Sequence, residues 1–395
     1  MISLPQALAT YAQFTPLPVE QVPLGQALNR VLRAEVYSQS DLPRFDNSAL
    51  DGYVIHAQNC HQDAVTLPIV GSTAAGAPIG IPLQADTTQR ILTGAPVPAG
   101  ASSVVAQERV LVRDNTITLQ QAIAPHKNIR YQGEEVKQGA VLAQAGQVLT
   151  AGMLGALAAA GVSRVQVARA LRVAVLVTGD EVKPIGTPLT ATQVWDANSV
   201  QIAAWCAGQG IAATTQWVGD TAVDVQAALQ QALDHHDVVI TTGGVSVGDK
   251  DFIRPAASAL GLYTHFWGVA QKPGKPMLLA QSREGSVLVG LPGNPAAVTV
   301  ALAVHVKPLL AALTGAKPPM WHWGVLTKAV KRDGQRTRLV RAVHCVNTQG
   351  VNQLTVLPLQ DSHMLSNLSA ANSVVDIPAG EGECAAGERV RFVDL

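Results

Sequence analysis

The middle of the chain repeats one unit, and this repeat restricts the fold more than any other feature of the sequence. Each unit is a short apolar run rich in β-branched residues, then a polar loop containing glycine, then a stretch with helical spacing. Residues 172–177 lead into the loop 178–181 in this way, and residues 237–240 lead into the loop 241–251. Apolar runs of this length indicate strands buried on both faces. Because strands and helices alternate, the sequence predicts a doubly wound α/β domain over residues 169–312.

The loop 241–251 reads TTGGVSVGDKD and combines small hydroxyl residues, glycines and two carboxylates. In open parallel sheets, ligands bind outside the carboxyl ends of the strands. Glycine allows the backbone to approach a ligand closely, and the carboxylates of Asp249 and Asp251 can hold a metal ion or move protons. Taken alone, the loop is equally well explained as a glycine-rich turn with a solvated charge cluster.

Two further loops should reach the same edge of the sheet. One is 178–181, which contains Glu181, and the other is the sequence GLPGNP at 290–295. In the latter, Asn294 is placed to cap a helix that has Pro295 as its first residue. Because free N–H groups at the start of a helix favour an anion, three converging loops favour a binding site over isolated turns.

The sequence also contains a stiff basic turn at 272–276, KPGKP, in which two prolines restrict two lysines. Lysine ammonium groups suit phosphate or another oxyanion, and a solvated loop is the alternative. We therefore predict a site with two halves. The anion-binding half comprises Gly243, Gly244, Lys272, Lys275, Gly293 and Asn294, and the acidic half comprises Glu181, Asp249 and Asp251. Carboxylates beside phosphate groups indicate a divalent cation such as Mg²⁺.

Length, charge and composition exclude several classes of protein. A chain of 395 residues is too long for one hydrophobic core. The formal net charge is zero and no basic stripe occurs, which argues against nucleic-acid binding. The cysteines are far apart without a CxxC pair, and His235, His236, His305 and His344 have no ligand spacing, so we expect surface or packing histidines. Neither a dinucleotide nor a P-loop motif is present. No apolar run approaches the ~18 residues of a membrane span, so we expect a cytoplasmic protein.

Changes of pattern along the chain predict four parts besides the α/β domain. Short alternating runs indicate β structure, whereas helical spacing returns near the linker. The predicted parts are an N-terminal helix packing on the α/β domain (1–19), an elongated linker (20–46 and 139–168) with a helix at 24–32, an inserted small β domain (47–138) and a C-terminal β-barrel-like domain (313–395).

The β domain carries polar candidates in three loops. Asp51 precedes Gly52 in a loop dense in turn-forming residues, Thr93 begins a rigid loop, and Arg130 lies before Gly133 with two glutamates after it. The alternatives are a carboxylate that caps backbone N–H groups, a hydroxyl in a local turn, and a solvated charge at the end of a hairpin.

Seven motifs, in order along nearly the whole chain, resemble the molybdopterin molybdenumtransferase family, whose eukaryotic relatives include the C-terminal domain of gephyrin. The motifs are LPRFDNSALDGY, ILTGAPVP, NIRYQGEEV, VLVTGDEV, TTGGVSVGDKDF, QKPGKPMLL and GLPGNPAAV. The sequence departs from the family pattern at three places: Leu50 replaces a usual Met, Tyr131 and Gln132 replace a more basic pair, and WDAN at 195–198 replaces YDTN.

The resemblance implies the reaction: molybdate is inserted into adenylylated molybdopterin with Mg²⁺, and the products are molybdenum cofactor and AMP. It implies as catalytic residues Asp51, Thr93, Glu181, Asp220 and Asp251. It implies or supports as ligand-binding residues Gly243, Gly244, Ser246, Lys272, Lys275, Pro292, Gly293, Asn294, Arg130, Arg341 and Ser366, with Ser362 and Ser369 in the same C-terminal region. The expected metal ligands are Glu181, Asp249 and Asp251.

The resemblance also implies partners. We expect an elongated homodimer whose cleft joins the α/β and C-terminal domains of one subunit to the β domain of the other. We expect the molybdopterin adenylyltransferase upstream, apo-molybdoenzymes or their chaperones downstream, and neither nucleic acid nor membrane as partner. A non-catalytic scaffold of the gephyrin type is the alternative, but it predicts loss of the acidic loop residues, which are intact. The adenylyltransferase itself, a third alternative, lacks the flanking β domains.

Overall fold

A six-stranded sheet forms the centre of the α/β domain in the computed structural model, which describes residues 1–245 and 251–395. Its strands, in spatial order, are Ala213–Val218, Val173–Thr178, Val238–Thr242, Val287–Leu291, Leu278–Gln281 and Tyr263–Trp267. The first four are parallel and the last two are antiparallel to their neighbours. The predicted multidomain α/β fold with additional β domains is confirmed.

Alternate residues of each central strand enter cores on opposite faces of the sheet. In Val173–Thr178, the residues Val173, Val175 and Val177 belong to one apolar cluster, while Ala174 and Leu176 belong to another. The helices of the first face are Leu4–Tyr11, Asn198–Gly208 and Pro295–Thr314, and those of the second are Ala222–His235 and Ile253–Ala259. Because a strand alternates its side chains between faces, a strand apolar at every position requires this double cover.

The helix that follows the GLPGNP loop runs through the first of these cores. It extends from Pro295 to Thr314, is apolar enough by length and composition to cross a membrane, and has 72% of its most apolar window buried inside the fold. His305 and Lys307 interrupt the apolar run in the sequence but not the helix, so the length comes from the helix and not from one continuous apolar run. A π-helical turn, Leu302–Val306, precedes Pro308, which cannot donate an N–H group.

The linker segments pair with each other as short antiparallel strands. The pairs are Val19–Pro23 with Arg164–Ala168 and Val36–Tyr37 with Val141–Ala143, and the helix Ala151–Ala159 packs beside them. The helix expected at 24–32 was wrong, since only the short 3₁₀ turn Leu24–Gln26 forms. Beyond it the backbone N–H groups of Asn29 and Leu32 donate to the carbonyls of Leu149 and Gln147, so pairing with the second linker segment replaces helical bonds.

The small β domain is inserted between the two linker segments. Its sheet runs in the order Ala101–Ala106, Gly52–His56, Thr88–Ile91, Thr66–Thr73, Thr116–Leu119 and Val110–Arg113, and a separate pair joins Asn47–Ser48 to Ile129–Arg130. A bridge between Leu42 and Val136 closes the neck of the insertion. The domain has its own apolar clusters, which explains how it folds apart from the central sheet.

Five strands of the C-terminal region close into a barrel. Their order is Thr337–Val346, Asn352–Val356, His322–Leu326, Arg389–Asp394 and Ser373–Ile377, and the last pairs again with the first. A short strand of the α/β region, Gln271–Lys272, pairs in parallel with Thr337 and Arg338 at the edge of this barrel. The turn that carries the two lysines is thereby attached to both domains.

Candidate functional site

The loops that follow three neighbouring strands meet at one edge of the central sheet. The hydroxyl of Thr178 donates to the carbonyl of Thr242 at 3.4 Å, and the N–H of Gly243 donates to the carbonyl of Leu291 at 3.2 Å. A Cβ atom built on Gly293 would lie 3.7 Å from the Cα of Gly243. The predicted convergence of loops is therefore present, and we call residues 178–181, 242–245, 272–275 and 291–294 the sheet-edge site.

Gly244 is required by the geometry of its loop. Its φ is +65°, and a Cβ atom there would lie 2.9 Å from Cγ1 of Ile253, so a side chain would have to displace the start of the next helix. The predicted residues Ser246 and Asp249 lie outside the described residues. Asp251 is half-buried and lies two residues before the helix that begins at Ile253.

Acidic residues follow two adjacent strands at this edge: Asp180 and Glu181 lie in the sheet-edge site, and Asp220 lies in the loop after Ala213–Val218. Glu181 is exposed, and its carboxylate oxygens lie about 3 Å from the position that a Cβ atom on Gly179 would take. The N–H of Asp180 donates to the carboxylate of Asp220 at 3.2 Å, and the N–H of Asp220 donates back to Asp180 at 3.3 Å. Asp220 thus fastens two loops together. In the part of the chain that the structure describes, no three His, Cys, Asp or Glu side chains form a ready metal cluster.

The lysine turn is fixed through its backbone while its side chains reach solvent. Lys272 and Lys275 are both exposed. Between them, the carbonyl of Gly274 accepts a bond from the side-chain amide of Gln271 at 3.2 Å, and a Cβ atom on Gly274 would lie 3.9 Å from the ring of Pro292. The turn therefore carries two cations on a defined backbone next to the loop 291–294. This arrangement favours a binding role for the lysines over that of a solvated loop.

Asn294 occupies the predicted N-cap position, but its side chain does not cap the helix. Instead the amide donates to the hydroxyl of Ser362 at 2.7 Å and so joins the sheet-edge site to the C-terminal domain. Asn198, which sequence reasoning did not select, donates to the carbonyl of Gly293 at 2.7 Å. Its position in the WDAN motif at the start of a helix was the available signal, since the buried carboxylate of Asp196 also accepts the N–H of Ser199 there.

Arg341 lies in the barrel strand that pairs with the lysine turn and is fully buried. One guanidinium nitrogen, Nη2, donates to the carbonyl of Leu359 at 2.7 Å, while Nε and Nη1 have no hydrogen-bond partner within the described residues. Burial lowers the pKa of this guanidinium, and the nearby charge of Asp361 partly opposes that effect. Ser366 is exposed, and the adjoining Asn367 shares the Leu359 carbonyl with Arg341, so Ser366 is one residue away from a neighbour of Arg341.

In the β domain, Asp51 and Thr93 form a direct pair. One carboxylate oxygen of Asp51 accepts the hydroxyl of Thr93 at 2.7 Å and its N–H at 2.8 Å. These two bonds, the hydroxyl first, lower the pKa of Asp51, and the charge of Arg90 adds a smaller effect. Gly52 is fixed by packing, because a Cβ atom there would lie 1.9 Å from the carbonyl oxygen of Val105. The capping alternative for Asp51 is thus partly correct, since it does accept a backbone N–H.

The turn after Arg130 is stabilised without the basic pair of the family pattern. Arg130 itself is exposed and pairs through its strand with Asn47. The side chain of Gln132 donates to Asp41 at 2.8 Å, and the hydroxyl of Tyr131 bonds His126 at 2.7 Å. These two residues therefore hold the turn, which gives them a structural role in this chain.

The chain matches three family models in succession along its length. They are the MoeA N-terminal region (domain I and II) over residues 2–161, a probable molybdopterin binding domain over 174–312 and the MoeA C-terminal region (domain IV) over 324–395. It is 34% identical to the molybdopterin molybdenumtransferase of Haemophilus influenzae, with 99% of this chain and 98% of the relative covered. The chain belongs to the molybdopterin molybdenumtransferase family.

Other relatives of this family agree over the full length. Molybdopterin molybdenumtransferase 2 of Mycobacterium tuberculosis is 34% identical over 95% of this chain and 94% of its own length. The crystal structure of the molybdopterin biosynthesis MoeA protein from Pyrococcus horikoshii superimposes with a TM-score of 0.81 at 26% identity, covering 100% of this chain and 99% of that one. The family resemblance seen in the motifs is therefore confirmed, while the roles of the individual site residues stay predictions.

Proposed function

We propose that this chain inserts molybdate into adenylylated molybdopterin and releases AMP and molybdenum cofactor. Family membership makes the chain a transferase of molybdenum cofactor biosynthesis. The proposal adds to this the adenylylated form of the substrate and the release of AMP. They require a site that holds a phosphate-bearing pterin and a separate oxyanion close together, and we propose that the sheet-edge site and Arg341 provide these two functions.

Arg341 is the single observation that carries the proposal. A buried N–H donor without an acceptor costs about 1–3 kcal/mol, and native structures leave few such groups. Two nitrogens of the charged Arg341 guanidinium, Nε and Nη1, are of this kind. A tetrahedral oxyanion such as molybdate would supply the missing acceptors, and its charge would match the guanidinium. Ser366, which adjoins Asn367, is the neutral donor that we assign to the same oxyanion.

The pterin phosphate is assigned to the lysine turn and the glycine loops. Lys272 and Lys275 supply two cations with an otherwise defined backbone. Gly243 and Gly244 have φ of +87° and +65° and allow close approach of a ligand to the backbone. Asn294 and Pro292 border this region and join it to the C-terminal domain.

The donor set of the acidic half fits Mg²⁺. Glu181 and Asp251 offer only carboxylate oxygens, which are the ligands that this ion prefers, and Asp249 would complete the set. Bound there, Mg²⁺ would offset the charge of the phosphate groups. The bonds between Asp220 and Asp180 hold the loop that carries Glu181 against the loop that follows Ala213–Val218.

Asp51 and Thr93 complete the site, in our proposal, from a second subunit. Within the described residues, their side-chain hydrogen bonds are to each other and stay inside the β domain. A homodimer in which the β domain of one subunit reaches the sheet-edge site of the other would unite the two halves. Arg130 lies in the same domain and would face the same substrate. We propose a cytoplasmic enzyme that receives its substrate from the adenylyltransferase and delivers cofactor to apo-molybdoenzymes or their chaperones.

The direct test is incubation of the purified protein with adenylylated molybdopterin, molybdate and Mg²⁺. We expect AMP to form in proportion to cofactor that reconstitutes a molybdenum-free apoenzyme. An Arg341→Met variant should bind the pterin but require more molybdate. Pterin binding by the unmodified protein without AMP release would instead support the gephyrin-type scaffold.

A further inference from the structure

A buried chain of hydrogen bonds connects the N-terminal helix to the lysine turn. The hydroxyl of Tyr11 lies 2.8 Å from Nδ1 of His305, and Nε2 of His305 lies 2.8 Å from the amide oxygen of Gln271. The amide nitrogen of Gln271 in turn donates to the carbonyl of Gly274 at 3.2 Å. Gly274 stands between the two lysines, so the chain of bonds ends inside the turn.

The directions of the bonds in this chain follow from its last member and from the burial of His305. The carbonyl of Gly274 can only accept, which fixes the NH₂ group of Gln271 on that side and its oxygen towards His305. His305 must then carry a proton on Nε2, and because full burial disfavours an imidazolium, its bare Nδ1 accepts from the hydroxyl of Tyr11. The histidine is therefore neutral and has one defined tautomer.

The three side chains are withdrawn from water. Tyr11 is 2% exposed, Gln271 1% and His305 0%. Burial lowers the pKa of His305 to about 3, in agreement with a neutral ring. Buried polar groups are costly unless they are paired, and a fully satisfied network makes its members rigid. The π-helical turn Leu302–Val306 contains His305, and such turns are frequent at functional sites.

We propose that Tyr11, His305 and Gln271 are positioning residues that hold the lysine turn in its anion-binding conformation. The inference deepens the proposed function and depends on the assignment of Lys272 and Lys275 to the pterin phosphate. It explains why the N-terminal helix, which lies far from the turn in sequence, is packed against the core behind it through Leu4, Ala7 and Tyr11. It also assigns a role to His305, which is buried and has no metal-ligand spacing.

The test measures the affinity of molybdopterin, prepared without oxygen, for variants that interrupt the chain of bonds at Tyr11 or at Gln271. Tyr11→Phe removes only the hydroxyl, and Gln271→Met keeps the length of the side chain without its hydrogen bonds. Tyr11→Phe should bind the pterin roughly fivefold more weakly, as expected for loss of one ordering hydrogen bond, and Gln271→Met, which loses two, at least as weakly. Because the bonds form one chain, the double variant should bind no more weakly than the weaker single variant.

The matched control is Thr88→Val, which removes a buried hydroxyl bond to the Val54 carbonyl, 2.8 Å long, in the β domain. It should lower thermal stability without changing pterin affinity. A purely structural role for Tyr11 and Gln271 would make their variants behave like this control, and that result overturns the inference.

Lys272→Ala separates this inference from the proposed function. If it weakens pterin binding while Tyr11→Phe and Gln271→Met do not, the lysine turn keeps its role and the positioning inference fails. If Lys272→Ala also leaves the affinity unchanged, the role of the turn fails, and the inference with it. Nitrogen-15 shifts of His305 give an independent readout, because a neutral ring protonated on Nε2 is expected and an imidazolium or an Nδ1–H ring contradicts the bond chain.

Discussion

The two halves of the candidate site differ in what holds them. The sheet-edge site is fixed by buried parallel strands and by bonds between loops, such as that from Gly243 to Leu291. The pair Asp51–Thr93 sits on exposed turns of a separately folded domain. In the sheet-edge site, the positions of the loops follow from the core of the α/β domain. The second half depends on where the whole β domain is carried, so its role can be judged only in an assembly.

The largest expected effect comes from the acid of the sheet-edge site. Glu181→Ala should lower cofactor formation by about 10²-fold or more, as for loss of a group that stabilises charge in a reacting site. Because the residue is an exposed loop side chain, its loss should change the free energy of unfolding by no more than about 0.5 kcal/mol. Chemical denaturation and AMP release measure the two quantities.

Glu284→Ala is the matched control for Glu181, since Glu284 is also an exposed glutamate on a loop of the α/β domain. It should retain full activity. A folded Glu181→Ala protein with normal AMP release would remove this acid from the mechanism and make the two halves of the site more alike than we propose.

Mixed dimers test directly whether the two halves come from different subunits. Homodimers of Asp51→Asn and of Glu181→Ala should each be inactive. In a mixed dimer one cleft receives both changes and the other receives neither, so random exchange should restore roughly a quarter of normal activity, from the two-fold symmetry. The measurement is cofactor formation after subunit exchange that mass spectrometry has verified.

Absence of recovery after complete exchange has a clear meaning. It would place Asp51 and Glu181 in the cleft of the same subunit or exclude one of them from the reaction. The difference between the two halves would then be one of local exposure alone.

An intermediate effect is expected at the lysine turn. Lys272→Ala and Lys275→Ala should each weaken pterin binding by roughly tenfold, since charge-assisted bonds to phosphate are among the stronger polar contacts. Turnover at saturating pterin should change much less. Titration with molybdopterin measures these affinities. The control is Lys328→Ala, an exposed lysine of the C-terminal domain, which distinguishes a specific effect of the lysine turn from a general loss of positive charge.

The smallest effect on activity is expected from Asp237, which supports the sheet far from its ligand-binding edge. The carboxylate accepts bonds from Arg169 at 2.6 Å and from the N–H of Arg172 at 2.8 Å. Burial alone would raise its pKa, but the bonds from Arg169 and Arg172 outweigh burial and leave the pKa lowered. Asp237→Asn should therefore cost roughly 1–2 kcal/mol of unfolding free energy at pH 7, with little change in activity.

The sign of the pH dependence follows from that lowered pKa. Since the folded value lies below the ordinary 3.8, the contribution is present above about pH 4 and is lost as the pH falls through the folded pKa. The difference between the unmodified protein and Asp237→Asn should shrink on acidification. Tryptophan fluorescence suits the measurement, because all tryptophans lie at or beyond residue 195 and report on the α/β and C-terminal regions. A difference that grows towards low pH would contradict the assignment.

The sequence was sufficient for the parts of the site that follow from strand order. Parallel strands place their carboxyl ends at one edge, so the convergence of the loops at Thr178, Gly243 and Gly293 could be inferred from apolar runs and turn residues alone. The pairing of Asp51 with Thr93 was not visible in local patterns, although the family motifs contained both residues. Predicting that pairing requires knowledge of which distant strands of the β domain are neighbours.

The missed features share a physical cause, because each results from contacts between distant parts of the chain. The helical spacing at 24–32 was overridden by pairing with residues 147–149. Asn294 has the sequence signature of a cap, but its amide bonds Ser362 from another domain. His305 has no spacing that distinguishes it, since its partners Tyr11 and Gln271 are remote in sequence.

The strand Gln271–Lys272 limits how far the C-terminal barrel can be treated as an exchangeable module. It covers the edge of Thr337–Val346 at Thr337 and Arg338, although it belongs to a segment 66 residues earlier in the chain. A recombinant or a natural gene fusion with its junction just before residue 322 would leave that edge uncovered, and uncovered strand edges promote self-association. Exchange of the barrel between relatives should therefore succeed only when the segment around 271–272 is exchanged together with it. The sequences around 271–272 and 337–338 should also change together as the family diverges.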